Sequence, residues 1–353
     1  MALDYDDYRV PQCKVIVDGT ELKSSEYYIE QVNVQLSYDS KANSADVTIA
    51  ADYDIKNSQI GGGLLKKLSA GKKVKIEMGY KLTTVVFLGY VNTVETSFSE
   101  GGVTVSFSCL DARGLLMGNN SWQSYEKENV KQIVESMLKP LSAYTNSVTV
   151  QVDGPADKEQ PLSQNELDDF KYLCHLAKMT NSSFYMTATD LKFVKNGFES
   201  FSVSKVYKWG KDIISFERKV ELSEQVGKVT VTGHSPDTAE PFSATVQPSA
   251  SDGDTGAELN SGVKKKEVNI VDSNVKTAEE AKTKAQALMF EKAIKLCTGT
   301  AQVLGNEKLM VGKGIGFDGL DPNVSGAYLI TSLTHSFGPG GFLTTIGFAS
   351  SGA

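Results

Sequence analysis

Between residues 12 and 110 apolar and polar side chains alternate in six short runs. They are CKVIV (13–17), VNVQL (32–36), ADVTIA (45–50), KVKIEM (73–78), TVVFLGYV (84–91) and VTVSFSC (103–109). A period of two sends every second side chain to one face, so each run reads as a half-buried strand. Asp18-Gly19, Gly71-Lys72 and Glu100-Gly101-Gly102 supply turns between them, and Gly61-Gly62-Gly63 leads into LLKKL, one short helical turn. So many strands with so little helix predict a compact antiparallel barrel or sandwich over 10–118.

The period then changes. Val130, Ile133, Val134, Met137, Leu138 and Leu141 follow helical spacing after a polar linker, with Pro140 at the helix end and a strand, VTVQV, at 148–152. Over 162–193 the pattern predicts one helix running into a hairpin. Ser163 and Glu166 read as a capping box, with Leu162 and Leu167 as a hydrophobic staple. Phe170, Leu173, Cys174 and Ala177 then make an apolar stripe, opposite Lys171, His175 and Lys178 on the wetted face. Asn181 reads as a left-handed C-cap, and Phe184, Met186, Leu191 and Phe193 alternate around a turn near 188–190. These features predict an α/β insert at 119–200.

Strands return over 201–353, at VSKVYKW (203–209), DIISFERKVEL (212–222) and KVTVTGH (228–234). The Ser-, Gly- and Asp-rich stretch 243–263 reads as a flexible, solvent-exposed loop dispensable for folding. A capping box from Thr277 to Glu280 opens a helix near 278–296, stopped by Gly299, whose tight face is Ala281, Ala285 and Leu288. The strands GIGFDG, AYLITSLTHSF and GFLTTIGFA follow, the last two joined by Gly338-Pro339-Gly340-Gly341. The fold class is therefore α+β, mainly β.

Composition narrows the function. The chain has 353 residues and a net charge of −7, and its one basic run is the lysine triplet 264–266, which reads as a solvated edge. Sequence-specific nucleic-acid binding is excluded on that balance. No apolar run reaches the roughly 18 residues of a membrane span, and the acidic, polar N-terminus is unlike a signal peptide. Cys13, Cys109, Cys174 and Cys297 are scattered, so reduced thiols and folding in the cytoplasm are expected. Candidate chemistry is sparse. His175 adjoins Cys174, but neighbouring helix positions point about 100° apart and cannot pair as nucleophile and base. His234 sits at a strand end, and His335 within a strand reads as a packing or hydrogen-bonding residue. Zinc-ligand spacings are missing, Asp252-Gly253-Asp254 lacks the rest of a calcium loop, and Gly312, Gly314 and Gly316 read as turn glycines rather than a phosphate cradle. No catalytic, cofactor or metal residue is assigned.

Several stretches carry a family resemblance. LSAGKKVKIEMGY, VVFLGYV and GGVTVSFSCLDARGLL come first, then the Leu-Ala helix with its aromatic strand, then LMVGKGIGFDGL and GAYLITSLTHSF. Their order over about 10–350 resembles the hub module of contractile tails: the phage late control D proteins and the N-terminal part of VgrG. The resemblance implies two similar antiparallel β-barrel domains flanking the insert, and a homotrimer whose six barrels form a near-sixfold ring. It implies a structural baseplate hub in a virion or injection particle, adapting a sixfold tail tube to a threefold spike, with the tube protein, the spike protein and other baseplate components as partners. The chain stops at Ala353 without the spike region of VgrG, so a separate central spike protein is expected. The alternative is a phage- or cell-wall-associated hydrolase or carbohydrate-binding barrel, for which Trp122 and Trp209 are the available aromatics.

Overall fold

A computed structural model describes residues 10–39, 41–120, 122–152, 162–196, 202–235, 240–250 and 253–353. Asp252, like the N-terminal residues 1–9, lies outside the described residues. The first region contains β1 (Gln12–Val17), β2 (Thr20–Glu21), β3 (Tyr28–Ser37), β4 (Ser44–Ala51), β5 (Tyr53–Asp54), β6 (Gln59–Ile60), the short helix α1 (Leu64–Lys67), β7 (Lys73–Gly79), β8 (Thr83–Ser99) and β9 (Gly102–Leu110). The middle holds β10 (Ser124–Tyr125), α2 (Val130–Leu138), β11 (Ser147–Val150), β12 (Leu162–Ser163), α3 (Asp169–Met179), β13 (Ser182–Met186) and β14 (Asp190–Lys195). The last region runs through β15 (Val203–Lys208), β16 (Ile213–Val220), β17 (Lys228–His234), β18 (Pro241–Val246), α4 (Gly256–Leu259), α5 (Ser261–Lys264) and β19 (Glu267–Val271). It ends with α6 (Ala278–Ala293), β20 (Cys297–Leu304), β21 (Gly314–Asp318), β22 (Gly326–Gly338) and β23 (Gly341–Ser350).

The two β-rich ends of the chain share one sheet. Its order is β16-β20-β23-β22-β3-β4-β9-β8-β7-β1-β2, with β21 on β22 and β15 on β21. Among the described residues these pairings close no barrel. The sets are joined at β22, whose first half pairs β21 while its second half, 332–337, takes the outer edge of β3. Within this sheet one pattern occurs twice. The first set has the spatial order β1-β7-β8-β9-β4-β3 and the second β15-β21-β22-β23-β20-β16. Numbered by chain order within each set, both read 1-4-5-6-3-2. Two pairs of irregularities coincide: bulges fall at Val91/Thr93 and Ile330/Ser332 on the fifth strands, and at Ile29/Gln31 and Ile213/Ser215 on the second, whereas the shifts at Ile76/Glu77 and Val203/Val206 have no counterpart in the other set. One pairing differs, since β1 meets β7 antiparallel whereas β15 meets β21 parallel.

Three apolar cores follow from this arrangement. The largest spans both sets, from Val15, Val34 and Ile76 to Ile315, Leu333 and Phe348. A second lies in the insert, where α2 and α3 cover the sheet β11-β14-β13. The third packs α6, through Ala281, Ala285 and Met289, on Val229 and Val231 of the sheet β18-β17-β19.

Several expectations are corrected. Helix α3 starts at Asp169, not after Ser163, because β12 pairs with β10 and holds residues 162–163 extended. Asn165 and Glu166 are left-handed, at φ 40° and 61°, which no helix accommodates. Asp168 is the actual N-cap, accepting from the Lys171 N–H at 2.7 Å. The stretch 243–263 is not one loop: 243–246 belong to β18, and Val263 of α5 is buried. Gly299 does not stop α6, which ends at Ala293; it lies in β20 where a Cβ would collide with the Glu217 carbonyl and the Phe348 ring. At the start of α6 the Thr277 hydroxyl accepts from Glu280 N–H, but the Glu280 carboxylate accepts from Lys276 rather than closing a box on Thr277. Of the three glycines, only Gly312 needs a turn conformation (φ 77°); Gly314 and Gly316 are strand residues of β21.

Candidate functional site

A polar joint locks the insert to the first strand set. Arg113 lies two residues beyond Asp111, which caps a short 3-10 turn at the end of β9 by accepting from Arg113 N–H at 2.9 Å. Both side chains are fully buried, the Arg113 Nη2–Asp111 Oδ2 distance being 2.9 Å. The same guanidinium donates to Asn43 Oδ1 at 3.0 Å and to the Phe184 carbonyl at 3.4 Å. Asn43 Nδ2 in turn donates to the Met186 carbonyl at 2.9 Å. Each charge thus finds a partner, as burial demands. The joint carries no exposed atom for a substrate to meet. Its only trace in the sequence is the DAR of LDARGLL, which periodicity does not single out.

A cleft of about 220 Å³ separates α3 from the β19–α6 connection. Lining it, His175 faces the Asp272–Lys284 ion pair. Although His175 is exposed overall, desolvation of its imidazole by the cleft walls and the Lys284 charge hold it below its ordinary pKa, with Asp272 opposing them and Lys178 adding to them. Burial would raise the Asp272 carboxyl, but Lys284 and Asn274 outweigh it and the net shift is downward. That carboxylate is occupied by Lys284 and by the Asn274 N–H at 2.9 Å, so it is poorly placed as a base. Cys174 lines a different cavity, a groove of about 650 Å³ between α3, α6 and the main sheet, with Ala177, Ile294 and Phe348. Cys174 and His175 therefore open onto separate spaces.

The remaining candidates scatter. His234 is exposed at the end of β17. His335 is buried in β22 with Nδ1 2.9 Å from the Thr344 hydroxyl, and burial pushes its pKa down to about 4. None of the four cysteines forms a disulfide, and burial raises Cys13 to about 12 and Cys109 further. Among the described residues no group of three His, Cys, Asp or Glu side chains could hold a metal ion. No helix there is long and apolar enough to cross a membrane. Lys264, Lys265 and Lys266 are exposed. Trp122 and Trp209 are also exposed, at 76% and 48%, on separate parts of the chain rather than along one groove.

Open strand edges are the more distinctive surface, and sequence reasoning missed them because an edge is a property of pairing order. Among the described residues, β16 beyond the isolated bridge of Ile213 to Trp209 pairs only β20, and β8 beyond Val91 pairs only β9. Unpaired N–H and C=O groups along such edges are templates for another strand.

Comparison with known proteins places this fold. No curated protein matches the sequence. Among solved structures, the prophage MuSo2 43 kDa tail protein from Shewanella oneidensis is similar at a TM-score of 0.72 and 15% identity, over 97% of this chain and 98% of that one. A tail protein from Neisseria meningitidis MC58 gives 0.70 and 13%, over 96% of each chain. An E. coli component of the type VI secretion system, described as structurally similar to T4 bacteriophage tail proteins gp27 and gp5, gives 0.61 and 12%, over 96% of this chain and 76% of that one. At these identities the likeness is one of fold. The family model of the Alg8 N-terminal domain matches residues 7–338, and the chain belongs to that family.

Proposed function

We propose that this protein is a non-enzymatic structural component of a contractile phage tail or phage-tail-like injection particle, acting as its baseplate hub. The observation that carries the reading is the doubled strand order, 1-4-5-6-3-2, within one chain. Three copies of a chain with two equivalent sets offer six near-equivalent surfaces to a sixfold tail tube, while keeping true threefold symmetry for a separate central spike. Each set would complete a barrel-like wall of that ring, as in the late control D and VgrG hubs that the sequence resembles. The tail proteins of similar fold support the same assignment. Such a role needs shape and edges rather than a reactive group, and folding in the bacterial cytoplasm before assembly suits cysteines that form no disulfide.

The test is deletion and localisation. Particles purified from cells carrying a tagged copy should contain the chain at the junction of tube and spike, in three copies. Normal, firing particles from cells lacking the gene would overturn the proposal.

A further inference from the structure

The doubled strand order has a consequence for the two open edges. Inside one chain, β3 lays its outer edge on the second half of β22, with Ser37 opposite Ser332, Val34 opposite His335 and Val32 opposite Phe337. In the other set the counterpart of β3 is β16, and the counterpart of β22 is β8. Among the described residues both counterparts carry an unpaired edge at the corresponding place. We infer that β16 of one copy pairs antiparallel with the second half of β8 in another copy, repeating between chains the seam that joins the two sets within a chain.

The bulges fix the register. Ser215 corresponds to Gln31, each being the first paired residue after its bulge. Thr93 corresponds to Ser332 in the same way, and both fifth strands then run to equivalent hairpin ends, Ser99 opposite Gly102 and Gly338 opposite Gly341. Carrying the β3–β22 pairing across places Phe216 opposite Phe98, Arg218 opposite Thr96, Lys219 opposite Glu95 and Val220 opposite Val94.

Side-chain chemistry agrees with that register although it played no part in deriving it. An aromatic pair, a valine pair and an opposite-charge pair fall directly across from one another, the pairings that stabilise antiparallel ladders. Phe98 is 60% exposed and Val220 42% exposed in the single chain, so both have apolar surface left to cover. A slip of two residues, the smallest that keeps the same faces inward, sets Glu95 against Glu221 in one direction and against Glu217 in the other. Like charges then oppose both slips. One position departs from the internal seam: Arg218 stands where β3 has Val34. Its Nε donates to Cys297 Sγ at 3.0 Å, which draws the guanidinium along its own sheet.

The contact is heterologous, a β16 edge meeting a β8 edge, so repetition gives a ring or an open chain. Only the number of copies, three, rests on the hub reading; the pairing stands on the strand order.

Disulfide trapping tests it. Chains carrying Glu95→Cys and chains carrying Lys219→Cys are mixed and oxidised, as pure protein at high concentration and within purified particles. Directly opposed residues lie within disulfide reach and diagonal ones do not. The expected result is an intermolecular crosslink for this pair, absent when Ser97→Cys replaces Glu95→Cys and absent in the unsubstituted chain. A chain carrying both substitutions should give a closed three-copy species. Lys219→Glu should weaken self-association by about fivefold, and adding Glu95→Lys should restore it. Failure to crosslink in both settings, or equal crosslinking by the Ser97 control, overturns the pairing. Particles that contain the chain but give no crosslink count against the pairing alone; particles assembled without the chain count against the hub.

Discussion

Arg113 and His335 are buried polar residues with opposite electrostatic solutions. Arg113 is paired with Asp111 and Asn43, and removing one member strands the other. Arg113→Met should cost about 3–5 kcal/mol, read as a shift in urea midpoint, whereas Asp111→Asn combined with Arg113→Met should recover part of that loss. His335 instead stays neutral, held at about 4 against an ordinary value near 6.5 because burial penalises the cation. A depressed histidine pKa means the unfolded chain takes up the proton first. Its contribution is intact above about pH 6.5 and is lost progressively as pH falls toward 4, about 3 kcal/mol in all. Asp168 and Asp272, lowered from 3.8, lose theirs only below that window. Urea melts at pH 7 and pH 4.5 should therefore diverge less for His335→Gln than for the parent; equal divergence would assign the acid sensitivity elsewhere. The role of His335 was readable because a lone imidazole in an alternating strand has little to do but pack. The Arg113 joint was not, since beyond Asp111 its partners Asn43 and Phe184 are 70 and 71 residues away.

At the scale of elements, legibility followed the source of the ordering force. Strands and helices defined by their own periodicity, such as β3, β9 and α2, fall where the alternation or helical spacing puts them. Boundaries set by distant pairing do not. The residues before α3 have a plausible capping pattern, yet a ladder with β10 outcompetes it and Asp168 caps instead. The stripe itself is unaffected: Phe170, Leu173 and Ala177 are buried while Lys171, His175 and Lys178 are exposed. Leu173→Ala should cost about 2–5 kcal/mol, and His175→Ala less than about 0.5 kcal/mol, by denaturant melts of each variant. For 243–263 the structure reverses the expectation drawn from composition. Deleting it would take Val246 from opposite Val229 and remove buried Val263 and Thr255, so a clear drop in melting temperature is expected rather than none.

For the whole molecule, what composition and spacing could not convey is that the first and last regions share a sheet. The β3–β22 seam brings Val32, Val34 and Leu36 beside Leu333, His335 and Phe337, residues about 300 positions apart, and the main core runs across it without interruption. Two separately folded barrels would melt independently; two sets with a common core and ladder should not. Calorimetry should show one dominant transition for the strand sets. The α6 layer over β17, β18 and β19 has its own small core and can precede it as a minor step. Val32→Asp places the test on the seam itself, burying an unpaired carboxylate opposite Phe337 where Val32 is now fully covered. If the seam couples the sets, that one substitution should lower the dominant transition as a whole. If the sets are autonomous, it should split the transition in two and leave the second set, with its aromatic cluster of Phe216, Phe317 and Phe348, melting where it did before.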